Sequence, residues 1–260
     1  MGLYMARPFA LSVGAMATLA VLFCAPILAQ HTGPEQAPAH HDTGSHQARA
    51  ADSIWEGSVE GTAYSEFNHH LAGLFVILIG LSELRPALGI RALSWARLLL
   101  PGASLLMGSY LLIWSDHDAW PVGSISFTGT YVSDDWEMIQ HKLFGIVALL
   151  IGMIELFRRT GRLEHVLWRV PLPAFAIIGG LSLFLHSHGV HPAAHKIALH
   201  HAAMGVMAIT AGSSKMLSEW KRRDLAMRLG MPRQTVRSFW ELAWAGLVLL
   251  IGVQLLAYIE

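Results

Sequence analysis

The chain has 260 residues, of which 53% are hydrophobic and only 14% charged, with 18 basic and 18 acidic side chains and a formal net charge of zero. A soluble domain of this length carries about 25% charged residues, so the composition excludes an ordinary soluble enzyme. It implies a polytopic membrane protein.

Arg7 precedes an apolar run over 9–28 that ends in Ile27-Leu28-Ala29-Gln30. A small residue at 29 fits signal-peptidase cleavage there, so residues 1–29 read as a signal peptide, with an uncleaved anchor as the alternative. Cys24 follows the bulky Phe23, which argues against lipidation. Cleavage would leave a mature chain without cysteine, and soft-metal chemistry would then fall to His and Met. Residues 30–62 read as a polar periplasmic linker, in which His31, His40, His41 and His46 stand among Pro, Gly, Ala and Gln. Such a composition cannot bury a core.

Residues 63–260 carry six apolar segments, at 64–84, 92–114, 136–158, 166–187, 194–218 and 238–259. Each approaches the roughly 20 residues that a bilayer-crossing helix needs. Loops after the first, third and fifth segments hold Arg85, Arg91, Arg158, Arg159, Arg162, Lys221, Arg222, Arg223, Arg228 and Arg233, whereas the other side holds only Arg49, Lys142 and Lys196. By the positive-inside rule the first set faces the cytoplasm. Both mature termini then face the periplasm, and Trp114, Trp120, Trp136, Trp168, Trp220 and Trp240 fall near helix ends as interfacial anchors. Of the fifteen histidines, only His165 lies on the cytoplasmic side.

The odd-numbered segments share a pattern. His69, Gly73, Gly80 and Glu83 recur as His141, Gly145, Gly152 and Glu155, and again as His201, Gly205, Gly212 and Lys215. At about 100° per residue these offsets put the last three positions roughly 40°, 20° and −40° from the histidine, one narrow stripe per helix. Glycine there allows close approach of a helix or of a flat cofactor. The economical architecture is an all-α domain of six transmembrane helices arranged as three repeated helical hairpins. Fourteen residues at about 1.5 Å place each histidine roughly 21 Å from its charged position, in the outer leaflet or at its boundary. Ionisable groups at such depth are expensive and usually functional. Glu83, Glu155 and Lys215 would form a mutually compensating cluster at the other face, or else an exit route for a proton or cation.

The even-numbered segments end in Asp116-His117-Asp118 and in His186-Ser187-His188-Gly189-Val190-His191. Side chains two or three residues apart in a turn can converge on one ion. Asp116 and Asp118 could equally orient a liganding His117. His195 and His200 extend the set, as does His70 beside His69, and Met138 and Met204 each stand three residues from a histidine. The expected metal ligands are thus His69, His70, His117, His141, His186, His188, His191, His195, His200 and His201. A His and Met set without thiolate suits copper better than zinc.

Six apolar helices with histidines at their exterior ends, the His69-His70-Leu71-Ala72-Gly73 stretch and His186-Ser187-His188 resemble the bacterial copper-resistance D-type membrane proteins over about 64–259. The resemblance implies copper handling at the inner membrane, with His69, His141, His186, His188 and His201 as ligands and a periplasmic metal carrier as partner. His69/Gly73 and His141/Gly145 also look similar to membrane b-type cytochromes, which hold haem b between paired histidines. One haem near the outer surface is the alternative cofactor. There is no phosphate-binding loop and no HExxH helix, and the loops are short, so a binding role is favoured over an enzyme. Nothing in the chain calls for nucleic acid.

Overall fold

The computed structural model describes residues 58–90, 92–133, 135–185, 193–230 and 238–260. Among these it is all-helical. Six long helices follow the apolar segments: α1 (Val59–Ala87), α2 (Leu99–Trp114, entered through a 3-10 turn at Ser94–Leu98), α3 (Trp136–Arg159), α4 (Pro171–Leu183, entered through Val166–Arg169), α5 (Ala194–Leu229) and α6 (Phe239–Leu256).

Local chemistry sets their ends. The Ser58 hydroxyl accepts from Gly61 N–H to cap α1, Asp135 accepts from Met138 N–H to cap α3, and Pro171 opens α4, where a missing N–H costs nothing. Past Ala87 the chain turns through Gly89 at φ 73°, a conformation that favours glycine. Two elements run beyond expectation: α1 begins at Val59, within the end of the stretch read as linker, and α5 runs on to Leu229 instead of stopping near 218. Its last turns are rich in helix-forming Lys, Arg, Leu and Met, and Asp224 pairs with Arg228 one turn on at 2.9 Å.

Five helical stretches, 59–87, 94–114, 136–159, 166–183 and 239–256, are long and apolar enough to cross a membrane. Large apolar side chains such as Leu74, Leu106, Leu150, Val206 and Val253 are exposed on the helices. A surface of that kind seeks lipid, because in water it would aggregate. Helix α5 packs among these five but is less apolar, because histidines and lysines interrupt its apolar run.

Consecutive helices are neighbours, and α6 returns to α1, so the six close into a ring. The intimate pairs are α1 with α6, α2 with α3 and α4 with α5; α3 and α4 barely touch. The tightest packing therefore lies between helices of successive hairpins, and the packing within each expected hairpin is looser. Glycines decide the outcome. A Cβ at Gly73 would meet the Gly252 carbonyl oxygen at 2.9 Å, one at Gly145 the Gly108 carbonyl oxygen at 3.0 Å, and one at Gly205 the Gly180 carbonyl oxygen at 2.7 Å. Each stripe glycine therefore meets a glycine of an even-numbered helix, backbone against backbone. The next stripe glycines, Gly80, Gly152 and Gly212, repeat the arrangement one level down against Leu249, Leu105 and Pro173.

All six helices contribute to one apolar core. Ile79, Leu100, Ile151, Leu172, Ala211 and Val248 belong to it, one from each, with Trp244 and Ala245 beside them. On α1, α3 and α5 this core lies between the histidine of the stripe and its charged residue.

Candidate functional site

Above the core, His69, His141 and His201 line one cavity of about 220 Å³. Three helices thus bring the three in-register histidines together, as the stripe requires. Met204 and Gln140, both buried, line the same space, with Phe144, Ser182 and Leu255 as further wall. The His69 and His201 rings stand 6.0 Å apart between centroids.

Neighbouring groups hold two of these rings. Nδ1 of His69 is 2.8 Å from the Ser65 carbonyl oxygen, and Nδ1 of His141 is 2.9 Å from Asp116 Oδ1. Both acceptors call for a proton on Nδ1, which leaves Nε2 as the basic nitrogen of each ring. Tyr258, fully buried, stacks on His69 at 3.9 Å. Burial and then the nearby Glu260 carboxylate push its phenol far above the usual tyrosine range, so it stays neutral.

Asp116 is shared. Besides His141 it accepts from the Ser115 hydroxyl, and Lys142, itself wholly buried, lies 3.5 Å from Oδ2 while donating to the Leu112 carbonyl at 3.0 Å. Burial alone would push the Asp116 carboxyl up; His141, the Ser115 hydroxyl and Lys142 outweigh it and hold the group below the ordinary carboxylate range. The sequence offers Asp116 as a partner for its neighbour His117. The structure gives it to His141, while Asp118, the other partner the sequence offers, pairs with His117 at 3.0 Å.

The other expected ligands disperse. His70 reaches the Tyr258 carbonyl with Nε2 at 2.9 Å, a tie between α1 and the end of α6. His117 is exposed and lines a second, outer cavity. His195 is exposed and His200 half-buried, its ring edge-on to Tyr258 at 5.4 Å. His186, His188 and His191 lie outside the described residues. Sequence reading misses Gln140 and Tyr258 as cavity neighbours, since neither belongs to a repeated motif.

The donor chemistry fits a soft or borderline transition ion: imidazole nitrogens with a thioether beside them and, among the described residues, no carboxylate on the inner wall. Among the described residues no three His, Cys, Asp or Glu side chains already stand together at ligand distances. The histidines share a chamber without forming a closed coordination sphere. The space beside Gly73 and Gly145, which a macrocycle would need, is filled by the backbones of α6 and α2.

At the opposite end the charged positions do meet. Glu83 accepts from Lys215 Nζ at 2.7 Å, from Arg159 at 2.7 Å and from the Trp244 indole at 2.9 Å. Glu155 takes Arg158 and the other side of Arg159. The compensating cluster expected from the stripe is present, with Arg159 as the bridge that the sequence does not reveal.

No family model, characterised protein or solved structure matches the chain.

Proposed function

We propose that this is a six-span inner-membrane protein that binds a transition ion, copper by preference, in the cavity between His69, His141, His201 and Met204. The carrying observation is that three histidines at equivalent positions of three helices line one chamber with a thioether. Each ion-binding nitrogen would be Nε2 on His69 and His141, with Ser65 and Asp116 orienting the rings from behind. Small side-chain rotations would complete the sphere. Copper bound there would be held away from water by the apolar core below.

The Lys and Arg distribution supports a periplasmic opening and agrees with a cleaved signal peptide, and a periplasmic carrier would then deliver the ion. The threefold recurrence of the glycine contacts supports a domain built by repetition, with α5 as its sixth span. The role is one-sided binding and hand-over, because an apolar layer contributed by every helix separates the cavity from the Glu83 cluster.

The test is metal analysis with an optical spectrum on detergent-purified protein from copper-supplemented cells. About one copper per chain is expected, falling by at least half in His141→Ala and in His201→Ala but not when His31, His40, His41 and His46 are replaced. A Soret band with stoichiometric iron would replace copper by haem b, and unchanged copper in all variants would remove the cavity as the site.

A further inference from the structure

A second cavity of about 220 Å³ opens at the same end, between α1, α2, α3 and the loop that follows α2. Two residues, His69 and His141, line both this cavity and the inner one. They form the partition. The two chambers differ in chemistry on either side of it.

Among the described residues, carboxylates line the outer chamber and not the inner one: Asp116, Asp118, Asp135, Glu137 and Glu260. Lys142 and His141 are set against Asp116 and His117 against Asp118, so among the described residues the five carboxylates still outnumber these three bases. The inner chamber presents imidazole, thioether and amide with apolar wall. A hydrated cation of any kind is drawn to the first. Only an ion that exchanges water for nitrogen and sulfur gains by entering the second.

We infer that the outer cavity is the loading port for the inner one, and that a soft monovalent or divalent cation passes between them by changing ligands at His69 and His141. This rests on the metal-binding reading above. Met107 and Met138 on the outer wall provide thioethers on the approach. The Nδ1 anchors of both rings keep the partition in place while Nε2 exchanges ligands.

The experiment follows copper(I) transfer from a coloured chelator to purified full-length protein, recording rate and final occupancy separately. A Cys24→Ser background removes the sole cysteine. Ile125→Cys, on the outer wall, is then labelled with a bulky maleimide to fill the port; Val132→Cys, 77% exposed and outside the lining, is the labelled control. Labelling at 125 is expected to slow loading by about tenfold or more with final occupancy unchanged, while the control loads as the unlabelled protein does. Replacing Asp118 by Asn together with Glu137 by Gln is expected to slow loading by about tenfold at low salt and to flatten its dependence on ionic strength. Met204→Leu, inside, is expected to lower final occupancy at limiting copper without slowing the initial rate.

Full occupancy reached at an undiminished rate in the plugged protein would overturn the port while leaving the metal site standing. It would direct attention to the loosely packed α3–α4 seam. Protein that holds no copper even unlabelled and at equilibrium would overturn both readings.

Discussion

At the scale of single residues, the arrangement around His141 turns on Asp116. A carboxylate behind a metal-binding imidazole fixes ring orientation and raises basicity, and its loss typically costs about 10–100-fold in metal affinity. Asp116→Asn is therefore expected to weaken copper binding by about tenfold in a competition titration against a chelator. The same contact has a pH signature in metal-free protein. Because folding holds this carboxyl below its ordinary value, its stabilising contribution is complete above the unfolded value of about 3.9 and is lost as pH falls through the lower folded value. Unfolding midpoints measured from pH 6 down to pH 3 should accordingly fall less steeply in Asp116→Asn than in the parent. Equal slopes would show that the carboxylate contributes nothing to the folded state. In the sequence Lys142 is one exterior charge among few, and its complete burial cannot be read there. Both of its partners, Leu112 and Asp116, are remote in sequence.

At the scale of elements, the helices themselves are readable in the sequence and their partners are not. A 3.6-residue period places His69, Gly73, Gly80 and Glu83 on one stripe whatever the neighbours, and five of the six apolar segments form helices fit to cross a membrane. The partner of each stripe depends on Gly108, Gly180 and Gly252, glycines of the even-numbered helices with no histidine four residues before them to mark them as counterparts of the stripe. Contact between Gly73 and Gly252 spans most of the domain, which no local pattern encodes. Tight glycines and roomy ones should also respond oppositely to a methyl group. Gly145→Ala would push a Cβ to 2.9 Å from the Leu112 backbone nitrogen, and neither helix can yield without separating. A cost of about 1–3 kcal/mol is expected, as for other overpacked cores. Gly246, also within a helix, would have nothing within 4 Å of an added methyl. Gly246→Ala should thus be neutral or stabilising by up to about 1 kcal/mol, from helix propensity. Thermal unfolding in one detergent decides; equal losses at both positions would mean that the close backbone approach is not what holds α2 to α3.

At the scale of the whole molecule, Glu83 joins four of the six helices: it sits on α1 and is met by Arg159 from α3, Lys215 from α5 and Trp244 from α6. A buried ion pair is weak evidence for net stability, yet removing one partner leaves an uncompensated charge and costs about 3–5 kcal/mol. The two ends of the pair are not equivalent. In Lys215→Met the carboxylate keeps Arg159 and the indole, whereas in Glu83→Gln the largely buried Lys215 loses the carboxylate it donates to. Glu83→Gln should therefore lower the unfolding midpoint more than Lys215→Met, and the double replacement should recover part of the loss, since it removes the stranded cation. Metal loading separates this structural role from an exit route. If the cluster only ties helices together, Lys215→Met protein that remains folded will take up and release copper(I) at the parent's rates, because the apolar layer insulates the cavity from it. Faster release in Lys215→Met, with its fold intact, would instead connect the two ends and make the protein a conduit across the membrane.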